Sequence, residues 1–193
     1  AEVLAFYQGV DREADRWQGR AALACLWRLS KLSAPLADGL AAHPGLALLL
    51  GDVGELAEEG RLDLRGLSNT MMAAGHLSAR HRLLRPLLRR CARALAEQAE
   101  DANPQDLANS AWACASMGER NAPMMARVAR VSAAKMGRFG PMDVSQLLWA
   151  FATLRLEDPA LFSAARAHAA STLGLFRHLR RWTFSIRRSL GAW

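Results

Sequence analysis

At 193 residues the chain has the length of one domain or a short run of repeats, and 51% hydrophobic content excludes global disorder. Much of that hydrophobic fraction is Ala and Leu, the strongest helix formers, and no alternating Val/Ile/Thr pattern occurs, so a sheet-rich fold is excluded too. The formal charge is +7, and Lys31 and Lys135 are the only lysines among 25 basic residues. Arginine forks match phosphate oxygens, so the composition points to a polyanionic partner, although a GC-rich coding sequence favours arginine as well.

Residues 1–19 predict an N-terminal helix or partial repeat. The segment Ala22-Leu23-Ala24-Cys25-Leu26-Trp27 then opens a first unit, and a second helix follows near Leu46–Glu59 after a His43-Pro44-Gly45 break. In the next unit Leu67–Ala74 opens a helix, with a partner helix over Ala79–Gln98. The third unit is the clearest. Pro104 and Asp106 suit a first turn, and the helix runs to about Met117, with Gly118 as its stop. Pro123 starts its second helix, which Gly137 closes after Met136. The fourth unit repeats the arrangement over Asp143–Leu156 and Pro159–Leu173. Residues 175–193 read as a basic, aromatic cap or degenerate repeat.

These units are copies of one another. Asp106-Leu107-Ala108-Asn109-Ser110-Ala111-Trp112-Ala113 aligns without a gap on Asp143-Val144-Ser145-Gln146-Leu147-Leu148-Trp149-Ala150, 37 residues on. Proline precedes the acid by two residues in both. The second unit matches the third at an offset of 40, with Met72 in the tryptophan place, and Trp27 lies 45 residues before Met72. Periods of this length build solenoids, because one such unit cannot bury its apolar face alone. The expected fold is therefore all-α: a right-handed α-solenoid of about four stacked helix pairs over residues 20–174, with the handedness taken from the resemblance below.

On a helical wheel Leu107, Ala108, Ala111, Cys114 and Ala115 face inward, and Asp106, Asn109, Ala113 and Ser116 outward, with Trp112 at the border. The fourth unit sorts likewise, with Val144, Leu148, Phe151 and Ala152 inside and Asp143, Gln146, Ala150 and Thr153 outside. Successive units thus offer a small, polar outer stripe: Ala24/Arg28/Lys31, Asn69/Ala73/His76, Asn109/Ala113/Ser116, Gln146/Ala150/Thr153.

The two clearest helices, Asp106–Ala113 and Asp143–Ala150, resemble the "DLANxxWA" helix of octotricopeptide-type repeats. Those repeats are similar to the repeats of FASTK-like and RAP-domain organellar RNA-binding proteins. The resemblance spans roughly residues 20–174. It implies an RNA-binding α-solenoid of the mitochondrial matrix, or alternatively the chloroplast, acting in RNA processing, stability or translation. The implied partner is single-stranded RNA, beside other proteins of an organellar RNA complex, and the chain itself is expected to be a monomer. The rival function is a protein-binding scaffold of the armadillo/HEAT-like kind, since helical repeats serve both ends.

On the RNA reading, Asn69, Asn109, Ser116, Gln146 and Thr153 face the bases. Amides donate and accept at once and so match a base edge. Arg28, Lys31, His76, Arg80 and Arg120 flank the stripe and hold phosphates. Arg82, Arg85, Arg89 and Arg93 form a separate stripe on a second helix, read as a solvated face or as a phosphate ridge. After Asp158 no acid remains, and the interleaved Phe176, Arg177, Arg180, Arg181, Trp182 and Phe184 suit either a capping helix or single-stranded nucleic acid. Trp112 and Trp149 are expected to pack into the core in preference to stacking on bases.

Other chemistry finds little footing. Cys25, Cys91 and Cys114 are 66 and 23 residues apart, which fits neither a zinc module nor a disulfide framework, so reduced thiols and no metal site are expected. No nucleophile elbow, P-loop, zincin or dinucleotide motif occurs, so neither an enzyme nor a cofactor is expected. The apolar run Leu46–Leu50 is far too short for a membrane span. A chain beginning at Ala1, with Glu2, Asp11, Glu13 and Asp15 close behind, is expected to be a processed form or fragment whose targeting signal lies outside it.

Overall fold

The structure is a computed structural model that describes residues 2–10, 15–31, 43–77 and 83–172. Among these every regular element is helical, and no strand occurs. The α-helices are α1 (Glu2–Gln8), α2 (Asp15–Leu29), α3 (Pro44–Glu58), α4 (Leu64–Leu77), α5 (Leu84–Gln98), α6 (Pro104–Ser116), α7 (Ala122–Lys135), α8 (Pro141–Leu154) and α9 (Pro159–Ser171). One turn of 3-10 helix, Met136–Arg138, extends α7, so Gly137 does not close that helix as expected. Arg80, Arg82 and the basic, aromatic segment from Phe176 onward lie outside the described residues.

The sequence signals at the helix starts have physical counterparts. Pro44, Pro104, Pro141 and Pro159 all open helices, where a missing N–H costs nothing. The side chain before or within the first turn then binds a free N–H. His43 Nδ1 accepts from Gly45 N at 3.1 Å, Asn103 Oδ1 from Asp106 N at 2.8 Å, and Asp158 Oδ1 from Leu161 N at 2.8 Å. Hence the His43-Pro44-Gly45 break is the capped start of α3.

Gly118 ends α6 as expected. Its φ of +63° lies in the left-handed region, and Gly118 N and Glu119 N donate to the carbonyls of Ala115 and Cys114. The same double closure ends α8, but there the left-handed residue is Arg155, at φ +54°.

The helices fall into two rows. In one, α2 contacts α4, α4 contacts α6, and α6 contacts α8; in the other, α1, α3, α5, α7 and α9 touch in succession. Each apolar face is thus covered by the next copy of itself. The buried core runs continuously from Leu4 and Tyr7 in α1 to Leu161 and Ala165 in α9. Tyr7 extends this order to the first helix, donating its hydroxyl to Asp52 Oδ2 on α3 at 2.6 Å.

The row geometry corrects the wheel. Ala73, Asp106, Asn109, Ala113 and Ala150, expected outside, are buried. A wheel separates core from solvent around one helix, but here each first helix meets another on both flanks, so the small residues become contact surface. Leu148 and Ala152, expected inside, are only half-buried. Asp106 is reached by Ser68 of α4, whose hydroxyl donates to Oδ1 at 2.7 Å. A buried carboxylate without such a donor would be costly.

Close approach of α4 and α6 depends on Gly75. A Cβ there would lie 2.7 Å from Ser116 Oγ, 2.8 Å from Trp112 Cζ3 and 3.3 Å from Ala113 Cα. Trp112 and Trp149 are half-buried and pack against the core, as their periodicity suggested.

Candidate interaction face

The α2–α4–α6–α8 row brings the expected base-facing residues into one succession, but they differ in availability. Asn69 and Thr153 are exposed. Ser116 is half-buried and donates back to Ala113 O at 2.9 Å, a bond within its own helix. Asn109 is only 7% exposed, and its Oδ1 accepts from Gln146 Nε2 at 3.0 Å. Gln146 also reaches across to Met72 Sδ at 3.9 Å, two units back. The amides of units three and four therefore satisfy one another at least in part.

The expected phosphate-holding residues divide similarly. Arg28 and Lys31 are exposed, and Lys31 Nζ sits 4.0 Å over the Trp27 ring, a cation–π contact. His76 stacks obliquely on Trp112, with ring centroids 4.7 Å apart. Partial burial and the charge of Lys31 push its pKa below the ordinary imidazole value, which weakens it as a phosphate-holding cation. Arg120 is occupied: Nε and Nη2 donate to Leu154 O at 3.0 and 2.8 Å, capping the end of α8. Arg80 lies outside the described residues.

Sequence reasoning passed over Arg65, which is exposed on this face, and assigned no role there to Trp27, which is 40% exposed. Both line a cleft of about 450 Å³ between α2 and α4. The signal for it lies in the repeat alignment. Where units two to four carry Asn69, Asn109 and Gln146, unit one carries Ala24, which cannot reach across to its neighbour. Thr70 and Ser110 are repeat-equivalent, and the hydroxyl of each is buried without a partner among the described residues.

The other row is charged but largely self-paired. Arg85 and Arg89 both approach Glu119, at 3.7 and 2.9 Å, and Arg90 pairs with Glu58 at 3.2 Å. Arg127 and Arg130 meet Glu100, whose carboxyl they hold below the usual range, and Lys135 donates to Ala102 O at 3.0 Å. These contacts join consecutive second helices and their turns. They favour the solvated-face reading of Arg85 and Arg89 over a free phosphate ridge, while Arg93 has no ion pair among the described residues.

The thiols are buried. Burial pushes Cys91 and Cys114 up to about 12 and raises Cys25, so none is suited to nucleophilic work. Among the described residues no three His, Cys, Asp or Glu side chains gather as metal ligands, and no helix is long and apolar enough to cross a membrane. No family model, curated protein or solved structure matches the chain.

Proposed function

We propose that the chain is a right-handed α-solenoid of four helix pairs that binds single-stranded RNA along its first-helix row, as a monomer. The proposed setting is RNA processing, stability or translation in an organelle, the mitochondrial matrix or alternatively the chloroplast. That setting rests on the repeat resemblance alone.

The observation that carries the RNA reading is the composition of the α2–α4 part of the row. Arg28, Lys31, Arg65 and Trp27 are all exposed there. The acid beside Arg65 in sequence is turned to its own helix start: Asp63 Oδ1 accepts from Gly66 N at 2.7 Å. Cations beside an aromatic platform suit a single strand, which supplies phosphates and flat bases together. The stacked arrangement is supported by the distance between copies, since side chains 37 positions apart in Asn109 and Gln146 touch.

Salt-dependent filter binding tests the proposal. The chain should retain single-stranded RNA of random sequence at low salt and release it steeply as salt rises. One observation favours the scaffold reading instead: Asn109, the central residue of the expected reading stripe, is buried and bound to Gln146. No retained RNA at low salt, beside a stable protein partner in pull-downs, would establish the scaffold.

A further inference from the structure

Among the described residues the first-helix row is bridged by side chains between its later units and carries a cleft between α2 and α4. Between units three and four, the Asn109–Gln146 bond spans the interface. Between units two and three, Trp112 and Ser116 press onto Gly75, with no space for a Cβ. Between units one and two, Ala24 stands in the amide position, and among the described residues no side-chain hydrogen bond joins α2 to α4 there. The cleft between α2 and α4 is the result, and its 450 Å³ lies within the range of small-ligand sites.

Its lining is suited to a particular chemistry. Leu23 and Leu26 form an apolar wall, and Trp27 supplies the one large aromatic surface. Opposite them on α4 are Arg65, Asn69 and the buried Thr70. Among the described residues Asn69 is exposed and has no hydrogen-bond partner, so its carboxamide keeps both donor and acceptor for a ligand. Lys31 stands on the Trp27 ring, placing a second cation beside that aromatic.

We infer that this cleft is a subsite for one nucleotide of a bound single-stranded RNA, with the base against Trp27, its edge on Asn69, and the flanking phosphates on Arg65 and Lys31. The inference rests on the RNA reading above and narrows it. Base reading is concentrated at the first junction, where an amide is free, and is weak at Asn109 and Gln146, where the amides bind each other. Stacking supplies affinity with little sequence preference, and the Asn69 amide supplies the preference.

The test uses the whole chain and a short single-stranded RNA of random sequence in which 4-thiouridine replaces uridine. Photo-crosslinking followed by peptide mapping should place the adduct on residues 21–28 or 66–77. Trp27→Ala should weaken binding by roughly five- to 150-fold, the range for loss of one base stack. Because Trp27 also carries the Lys31 cation–π contact, Ala24→Leu provides a second variant. Ala24 is exposed, so a larger side chain fills the cleft without disturbing the core, and it should abolish the adduct while the helical circular dichroism stays unchanged. Wild-type affinity in Ala24→Leu, with the adduct elsewhere, overturns the subsite and leaves the RNA reading standing. Failure of the unmodified chain to bind RNA overturns both. Uridine monophosphate bound as tightly as the oligomer would make the cleft a free-nucleotide site and so contradict the inference.

Discussion

Gln146 donates its carboxamide hydrogen to Oδ1 of Asn109 at 3.0 Å, although the two occupy the same position in successive copies of one repeat. This bond between equivalent residues ties α6 to α8 at that point. It also changes what mutation should do. Asn109→Ala or Gln146→Ala should each destabilise the fold by about 1 kcal/mol, the net worth of a typical hydrogen bond plus the group left unpaired. The double variant should cost clearly less than the sum, because the second change removes no further bond. Urea unfolding of all four proteins measures the coupling; strict additivity would show that the amides act separately.

Arg120 and Arg155 are both structural at the end of α8. Arg155 holds a left-handed backbone where Gly118, its repeat equivalent, pays no steric penalty. Arg155→Gly should therefore stabilise by about 0.5–1 kcal/mol. Arg120→Ala strips the cap from Leu154 O and should destabilise by about 1 kcal/mol, the figure kept low because the guanidinium is exposed. Thermal melts that move in opposite directions for the two variants would agree with this account. Parallel shifts would not.

Gly75 sets the distance between α4 and α6. Gly75→Val inserts a branched side chain where even a Cβ meets Ser116 Oγ, Trp112 and the Ala113 backbone. Overpacking of this kind costs about 1–3 kcal/mol. Gly137, where a Cβ meets nothing, is the control. Gly137→Ala should leave the urea midpoint nearly unchanged, and equal losses at both positions would refute the packing argument.

His76 contributes a pH dependence whose sign is fixed by its surroundings. Its folded pKa lies below the ordinary value because burial and Lys31 disfavour the imidazolium. Across the window below about 6.5 the unfolded chain binds the proton more readily, so stability rises with pH and falls as the solution is acidified. His76→Phe keeps an aromatic ring against Trp112 and removes the titration. Melting temperatures between about pH 5.5 and 7.5 should slope less in the variant, and an unchanged slope would assign the dependence to other groups.

Much of the architecture was legible because it is written in local signals. Pro104, Pro141 and Pro159 mark helix starts, Gly118 marks an end, and the 37-residue copy places α6 and α8 in equivalent roles. Those features act within one helix or one turn. The site was less legible because its determinants are between helices. Asn109 looks like a solvent-facing amide on its own wheel, and the helices flanking α6 in the row explain its burial. Arg120 reads as a free cation until the end of α8, 34 residues away, accepts its protons. The cleft at Trp27 follows from an absence, the missing side chain at Ala24, which periodicity alone does not flag.

RNA binding on the first-helix row is tested most directly by removing charge from each row in turn. Arg28→Ala with Lys31→Ala takes cations from the first-helix row, and Arg89→Ala with Arg93→Ala takes the same number from the second. Binding of random single-stranded RNA across a salt series should fall for the first pair, with a shallower dependence on salt, because phosphate contacts are lost. The second pair should retain wild-type affinity and slope. Wild-type binding in the Arg28/Lys31 variant, together with loss of binding in the Arg89/Arg93 variant, would place RNA on the outer helices and contradict the account.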